Sequence, residues 1–558
     1  MLVGCVLVIG VALVSPASPA TAQTAPRDAA SQADRSQAKN TARMSGRVVV
    51  ADTGKPLPRA TVIVSAPDVP QFGVTPAGGR RALTNDDGVW EIADLPPGKY
   101  VITVSKAAYV RTQYGQRYAR ERARVVELRE AATLTRLDIQ VPRAGVITGR
   151  IGDEAGDPIH PAVVSLQQVR YVDGVPTLHS VAEGIMSVLT GGLTDDRGEY
   201  RIHGLGPGTY YVSAATDPIG TGAPGQTSHL AATYYPGTSN VSEAQSVTVG
   251  AGQELNVSFN LTRARVAKIS GMVVGSSGEP IAAALRLKST PPIPLSGAEV
   301  LSDANGRFTL ADVPPGDYRL EVEGVRSLPM KELTSMPLTV TGDDVTDLVI
   351  TTRPGATASG RIVTDDASAP PTGVDVFAVP ASREAFTTVW RSGRPPERGE
   401  FQIQGLLGTH LIRATVPGGW FLKSVTLDKR SIIDSGYDFK AAAAISDIEV
   451  VVTRRATGLR GTVTKDDATT GDYTVVAFST DEQRWNPQTR YVQVARPGQN
   501  QDFTLDGLPP DEYFVIALDY LEPGEETDRT RLDRWKTRAT RVTVSDDQRS
   551  VVALKVNR

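Results

Sequence analysis

The sequence predicts an all-β protein: a tandem array of about five antiparallel β-sandwich domains behind an N-terminal signal peptide. Three observations carry this prediction. A short block recurs, reading TNDDGVWEIADLPPGKY from Thr84, TDDRGEYRIHGLGPGTY from Thr194 and SDANGRFTLADVPPGDY from Ser302, with weaker copies RGEFQIQGLLGTHL from Arg398 and QDFTLDGLPPDEY from Gln501. Ahead of each copy stands a glycine-centred start, at Gly46, Gly149, Gly271, Gly360 and Gly461, in steps of 103, 122, 89 and 101 residues. Short alternating strands between turn residues run throughout, and no segment reads as an amphipathic helix of more than about three turns. Units of about 100 residues built in this way have the size of a seven-stranded sandwich.

The chain opens on LVGCVLVIGVALV, Leu2 to Val14. This apolar run has the length of a signal-peptide core and is too short to cross a bilayer comfortably. Small residues at Ala20-Thr21-Ala22 offer a cleavage point before Gln23, so residues 1–22 read as a signal peptide. No Lys or Arg precedes the apolar core, which leaves the amine of Met1 as the positive charge there. Leu2-Val3-Gly4-Cys5 has the form of a lipoprotein box but precedes an apolar core instead of following one, so Cys5 reads as part of the signal. Cys5 is the single cysteine, and the exported chain is expected to hold no disulfide and no thiolate metal site. Residues 23–42 are polar and Ala-rich, a disordered leader.

Five units follow, at 43–143, 144–264, 265–354, 355–456 and 457–558. Each opens on a strand such as Met44 to Val50 and turns at a Gly-x-Pro element: Gly54 with Pro56, Gly156-Asp157-Pro158, Gly278-Glu279-Pro280. A second alternating strand, a variable loop, the Asp/Gly turn, the Leu-Pro-Pro-Gly-x-Tyr corner and a last strand such as Ser246 to Leu261 complete it. At the corner, Pro presets the bend and Gly at positive φ would turn the chain sharply into the next strand. Tyr100, Tyr210, Tyr318 and Tyr513 then stand where a ring can pack on the sandwich while its hydroxyl reaches backbone. The corner of unit four lacks the prolines, and Leu411 stands in the tyrosine's place. Unit five has Asp511 where the corner glycine usually stands. Linkers of a few residues predict a semi-rigid, elongated array.

The Ser/Thr-Gly-Arg start, Gly-x-Pro turn, Thr-Asp-Asp-x-Gly-x-Tyr hairpin and Leu-Pro-Pro-Gly-x-Tyr corner together resemble the carboxypeptidase regulatory-like domain family. The resemblance implies a transthyretin-like, or prealbumin-like, β-sandwich of the group that includes carbohydrate-binding-like folds. It covers nearly the whole chain after the signal and is strongest in the first three units. In metallocarboxypeptidases such a domain stands beside the zinc-bearing catalytic domain; here it is repeated with no such partner in the sequence.

Chemistry-bearing patterns are sparse. The histidines are His160, His179, His203, His229 and His410, and none stands in a His-Glu-x-x-His or His-x-x-Glu arrangement. There is no Gly-x-Ser-x-Gly elbow, and after the signal no cysteine nucleophile. Acid pairs at Asp86 and Asp87, Asp195 and Asp196, Asp365 and Asp366, and Asp466 and Asp467 fall in turns, where such residues hydrogen-bond to nearby backbone; calcium is the alternative use. The chain is therefore expected to be non-enzymatic, without cofactor or metal. With 59 basic and 62 acidic residues, interspersed, no field favours nucleic acid or an anionic membrane. After signal cleavage no membrane span is expected, and the location is periplasmic or extracellular. The function so read is a structural or ligand-binding scaffold of the cell envelope, with envelope proteins or polysaccharide as partners. The alternative is carbohydrate binding through aromatic residues in inter-strand loops. The candidates are Tyr234, Tyr235, Trp390, Trp420 and Trp485.

Overall fold

The computed structural model describes residues 42–557 apart from 68–78, 119, 173, 182–190, 217–231, 264–265, 290–298, 314, 326–330, 382–389, 392–398, 466–467, 470–472, 487 and 499. The signal peptide, Cys5, nearly all of the leader, His229, Asp466 and Asp467 lie outside the described residues. The first strand begins at Ala42, two residues ahead of the expected Met44.

The repeated start and the repeated block form one sheet in every unit. In unit one the opening strand Ala42–Val50 pairs antiparallel with Val89–Leu95 and parallel with Ile139–Val141, the last strand. The same trio recurs as Gly145–Gly152 with Glu199–Leu205 and Glu254–Asn256, and as Ala267–Val274 with Arg307–Val313 and Val345–Thr351. Units four and five repeat it with Ala356–Thr364, Glu400–Leu406 and Ala444–Thr453, and with Gly458–Lys465, Asp502–Asp506 and Arg549–Asn557. This sheet is mixed, because the last strand returns alongside the first in the same direction. In units one to four the facing sheet is antiparallel and is built on the strand after the corner, as in Thr61–Ser65 against Gly98–Ser105; in unit five that strand also pairs in parallel with the end of the last strand.

Cross-strand register explains why each start carries glycine. Gly46, Gly149, Gly271, Gly360 and Gly461 stand directly opposite Trp90, Tyr200, Phe308, Phe401 and Phe503. All five rings are buried. On the other side, a carbonyl of the last-strand segment comes so close that a Cβ would lie 2.2, 1.9, 1.9, 1.8 and 1.8 Å from it, at Leu137, Val257, Leu348, Ile448 and Val552. Only a residue without a side chain admits the parallel strand there, and the aromatic covers the gap.

Each unit has its own core. These lie among residues 42–141, 147–261, 267–350, 356–452 (joined by Leu333) and 459–554. Unit five has a second cluster, where Leu532 and Trp535 of the helix Arg529–Lys536 cover Phe478, Trp485 and Phe514. Buried and exposed positions alternate along the strands, as in Val89–Leu95, where Trp90, Ile92 and Leu95 point inward.

Backbone bonds fix some junctions: Ala144 N–H to Ala108 carbonyl at 3.0 Å between units one and two, and Gly355 N–H to Lys331 carbonyl at 2.8 Å between three and four. Units four and five are joined by charge. Arg490 holds Asp434 through two bonds of 2.9 Å, and Arg455 pairs with Asp547 at 2.8 Å. The array is not extended as the short linkers led us to expect, because unit five also touches units one and two. Short linkers fix the angle between neighbours, but they do not make successive angles cancel into a straight line.

Candidate functional surfaces

The repeated block holds its own sandwich together. Asn85 Oδ1 accepts the amides of Asp87 and Val89 at 3.1 and 2.8 Å. Asp195 does the same for Arg197 and Glu199 at 3.0 and 2.8 Å, and Asp303 for Asn305 and Arg307 at 2.9 and 2.8 Å. The hydroxyl one residue earlier pins the turn to the facing sheet: Thr84 accepts from Ala60 N–H and donates to Leu57 carbonyl, and Thr194 bridges Ala162 and Ile159 likewise. In unit four the acid pair divides. Asp365 pairs with Lys423 at 3.3 Å and accepts from the Thr453 hydroxyl at 2.9 Å. Asp366 is drawn down to about 2 by hydrogen bonds from Ser368 and Thr364. Among the described residues no group of three or more His, Cys, Asp or Glu is placed to hold a metal ion.

The corner tyrosines close a small loop. Tyr100, Tyr210 and Tyr513 donate to the carbonyls of Pro96, Gly206 and Pro509 at 2.7, 2.6 and 2.8 Å. Burial pushes the phenols of Tyr210 and Tyr318 up to about 12. Two expectations need correcting here. Gly98, Gly208 and Gly316 are not at positive φ; that conformation falls on the residue before the corner leucine, at Asp94 (φ 56°), Gly204 (82°), Gly405 (85°) and Gly507 (80°). In units one, two and four it coincides with a bulge against the opening strand. In unit four the tyrosine's position is held by His410 and not by Leu411: His410 pairs with Tyr437 as Tyr100 pairs with Val126. Its ring is buried, with Nδ1 3.1 Å from Gly408 carbonyl, an edge against Phe439 and no bonded partner at Nε2. Burial lowers its pKa.

The structure does not bring the five aromatic candidates together. Tyr234 is 1% exposed, and Tyr235 is half-buried against the core of unit two with its ring edge-on to Phe259. Trp485 is 5% exposed and donates its indole N–H to Ser479 carbonyl at 2.8 Å. The covered rings of Tyr234 and Trp485 cannot stack on a sugar. Trp420 is half-buried against the core of unit four, with Arg454 over its ring at 4.6 Å. The backbone of Trp390 pairs with Ala378; its side chain lies outside the described residues. A polar groove of about 580 Å³ does open on the mixed sheet of unit two, lined in part by Thr148, Arg150, Glu199, Arg201, Glu254 and Asn256. Arg201 pairs with Glu254 at 3.3 Å across it.

Sequence reading missed the contact between the first unit and the last. The segment Tyr114 to Arg124, YGQRYARERAR, meets Leu518 to Asp528, LDYLEPGEETD. Arg117 reaches Asp519 at 3.6 Å, Arg122 reaches Glu526 at 2.6 Å, and Arg120 pairs with Glu522. Glu121, buried, lies between Arg117 at 2.8 Å and Arg496, whose other Nη donates to Gly115 carbonyl at 2.7 Å. The rings of Tyr118 and Tyr520 meet at 4.4 Å. Arg120 also donates to Val169 carbonyl of unit two at 2.9 Å. The signal for this contact was present, as arginine at every second or third position facing an acidic stretch 400 residues away. Nothing local links the two.

No curated protein matches this chain. Solved structures to which it is similar include the TIE protein of Bacillus anthracis (10% identity, TM-score 0.14, covering 71% of this chain and 69% of that one). A streptococcal ancillary pilin is similar at 14% identity and TM-score 0.19, covering 56% and 99%. Two B repeat units of the collagen-binding protein of Staphylococcus aureus are similar at 13% identity and TM-score 0.13, covering 74% and 100%. Two of the five sandwiches, over residues 43–142 and 268–353, match the carboxypeptidase regulatory-like domain family.

Proposed function

We propose that this chain is an exported, non-enzymatic scaffold of the cell envelope that binds its partners through the loops and junctions by which its five units differ. One observation carries the reading: the residues of the repeated block are bonded within their own sandwich. The Asp and Asn side-chain oxygens hold amides, the tyrosine hydroxyls hold corner carbonyls, and the glycines admit a neighbouring strand. What recurs is used for folding, so what recognises a partner lies in what varies. No helix among the described residues is long and apolar enough to cross a membrane. The test is fractionation of the native cell followed by pull-down with the tagged full chain. Recovery from the envelope or medium together with envelope proteins supports the reading, and a purely cytosolic protein would overturn it. Trimming of peptide C-termini by the purified protein with zinc would replace it with a peptidase.

The polar groove of unit two favours a second reading, capture of polysaccharide. Arg150, Arg201, Thr148 and Asn256 offer hydrogen bonds suited to a polyol, and Tyr235 and Trp420 are the candidates whose rings keep partial exposure. A glycan array decides it: binding weakened by Arg201→Ala would support the groove, and no retention of any glycan would remove this reading.

A further inference from the structure

We propose that the contact between unit one and unit five is a salt-operated latch that holds the five-unit chain closed and opens without unfolding any unit. This goes beyond the scaffold reading and does not depend on it.

The chemistry of the contact is almost wholly ionic. Arg117, Arg120 and Arg122 face Asp519, Glu522 and Glu526, with Lys465 of unit five adding a 2.9 Å pair to Asp519. Among the described residues no apolar cluster spans the two units: the core of unit one and both cores of unit five are separate, and Tyr118 and Tyr520 are the one ring pair across the contact. Opening it therefore exposes little apolar area, and all five cores stay whole. The junctions between neighbouring units have peptide linkers of a few residues; this one joins segments 400 residues apart in the chain, so separation here, as at the adjoining seat on unit two, is free of a short tether.

The balance within the contact favours reversibility. The outer pairs are partly exposed, and pairs of that kind contribute little each and are screened by salt. The inner pair, Glu121 with Arg496, has side chains 1% and 5% exposed. Such a pair holds only while both partners are present, since each has given up its water. Glu121 is also the carboxylate that separates Arg117 from Arg496, so without it the inner contact becomes a cluster of like charges. Unit two adds backbone to the seat: a Cβ on Gly524 would lie 2.0 Å from Tyr171 carbonyl, and one on Gly174 would lie 2.3 Å from that of Thr527. The latch thus has a shaped seat, which gives it one closed geometry.

The experiment is small-angle scattering of the full chain in low salt and in about 1 M NaCl, where screening acts within about 3 Å, with mass measured by light scattering. The radius of gyration is expected to rise by roughly half as much again on opening, since single sandwiches of about 13 Å strung in a row form a much longer body. Arg120→Glu with Arg122→Glu, on partly exposed side chains, should give the open form already in low salt. Glu522→Arg with Glu526→Arg should do the same, and all four together should restore closure. Glu121→Gln should open the chain with its urea transition unchanged. A radius indifferent to salt and to both charge reversals would overturn the latch, as would a fourfold swap that stays open. Compaction that appears only with dimer mass would place the contact between copies and overturn it equally.

Discussion

At Gly271 an added methyl carbon would stand 1.9 Å from Leu348 carbonyl, opposite the buried ring of Phe308. Gly271→Ala must therefore push the parallel last strand away or tilt the ring, and is expected to destabilise unit three by about 3 kcal/mol, read as a lower urea midpoint. The corner tyrosines act more mildly. Tyr210→Phe removes one hydrogen bond and leaves Gly206 carbonyl without its donor, a loss of about 1 kcal/mol. His410 has the same pH sense as a paired carboxylate, in a window set by imidazole. Burial holds its folded pKa below the ordinary 6.5, so the unfolded chain takes up the proton first. Its contribution to stability is at its full value above about pH 6.5 and falls as pH drops below that. Urea unfolding at pH 7 and pH 5 should show a loss at the lower pH that His410→Phe reduces. The sequence showed that a glycine, a tyrosine and an Asp recur. It did not show that the glycine faces an aromatic, nor that His410 and not Leu411 takes the corner position, because a one-residue deletion in unit four shifts the alignment and only strand register reveals it.

The hairpin turn is the most legible element, because its Asx side chain, its positive-φ glycine and its backbone bonds all lie within a few residues. Gly306, for example, takes φ 72° while its carbonyl accepts Val273 N–H at 2.8 Å, tying the turn to the opening strand. Asp195→Ala is expected to cost about 1–2 kcal/mol by freeing the amides of Arg197 and Glu199, whereas Asp195→Asn keeps an acceptor and costs less. Since these oxygens are already engaged, millimolar calcium should leave the melting temperature where EDTA leaves it. The last strand was legible as a strand but not in its direction. Whether it runs parallel to the first depends on the path of the whole unit, and alternation alone reads the same either way. The corner misled in part: its glycine suggested positive φ, which Gly408 takes at 83° while Gly98, Gly208 and Gly316 do not, and the residue before the corner leucine takes it at Asp94, Gly204, Gly405 and Gly507.

The repeat made the tandem β-sandwich array visible, since each copy must bury its own apolar face. The way the units meet was not visible, because it depends on charges brought together over most of the chain's length. Aromatic loop residues looked like binding surface for a related reason. A ring next to Pro and Gly, such as Tyr235, can serve as a plug under the loop or as a platform on it, and burial decides which. The closed arrangement has a mechanical meaning. Force applied at residues 42 and 557 passes first through the ionic contact of units one and five, which yields before any sandwich does. Pulling a single molecule should show one early, low-force extension that reverses on relaxation and vanishes in high salt, ahead of the unfolding of separate sandwiches. A chain of this kind stores slack: it can lengthen under load and recover with every domain still folded.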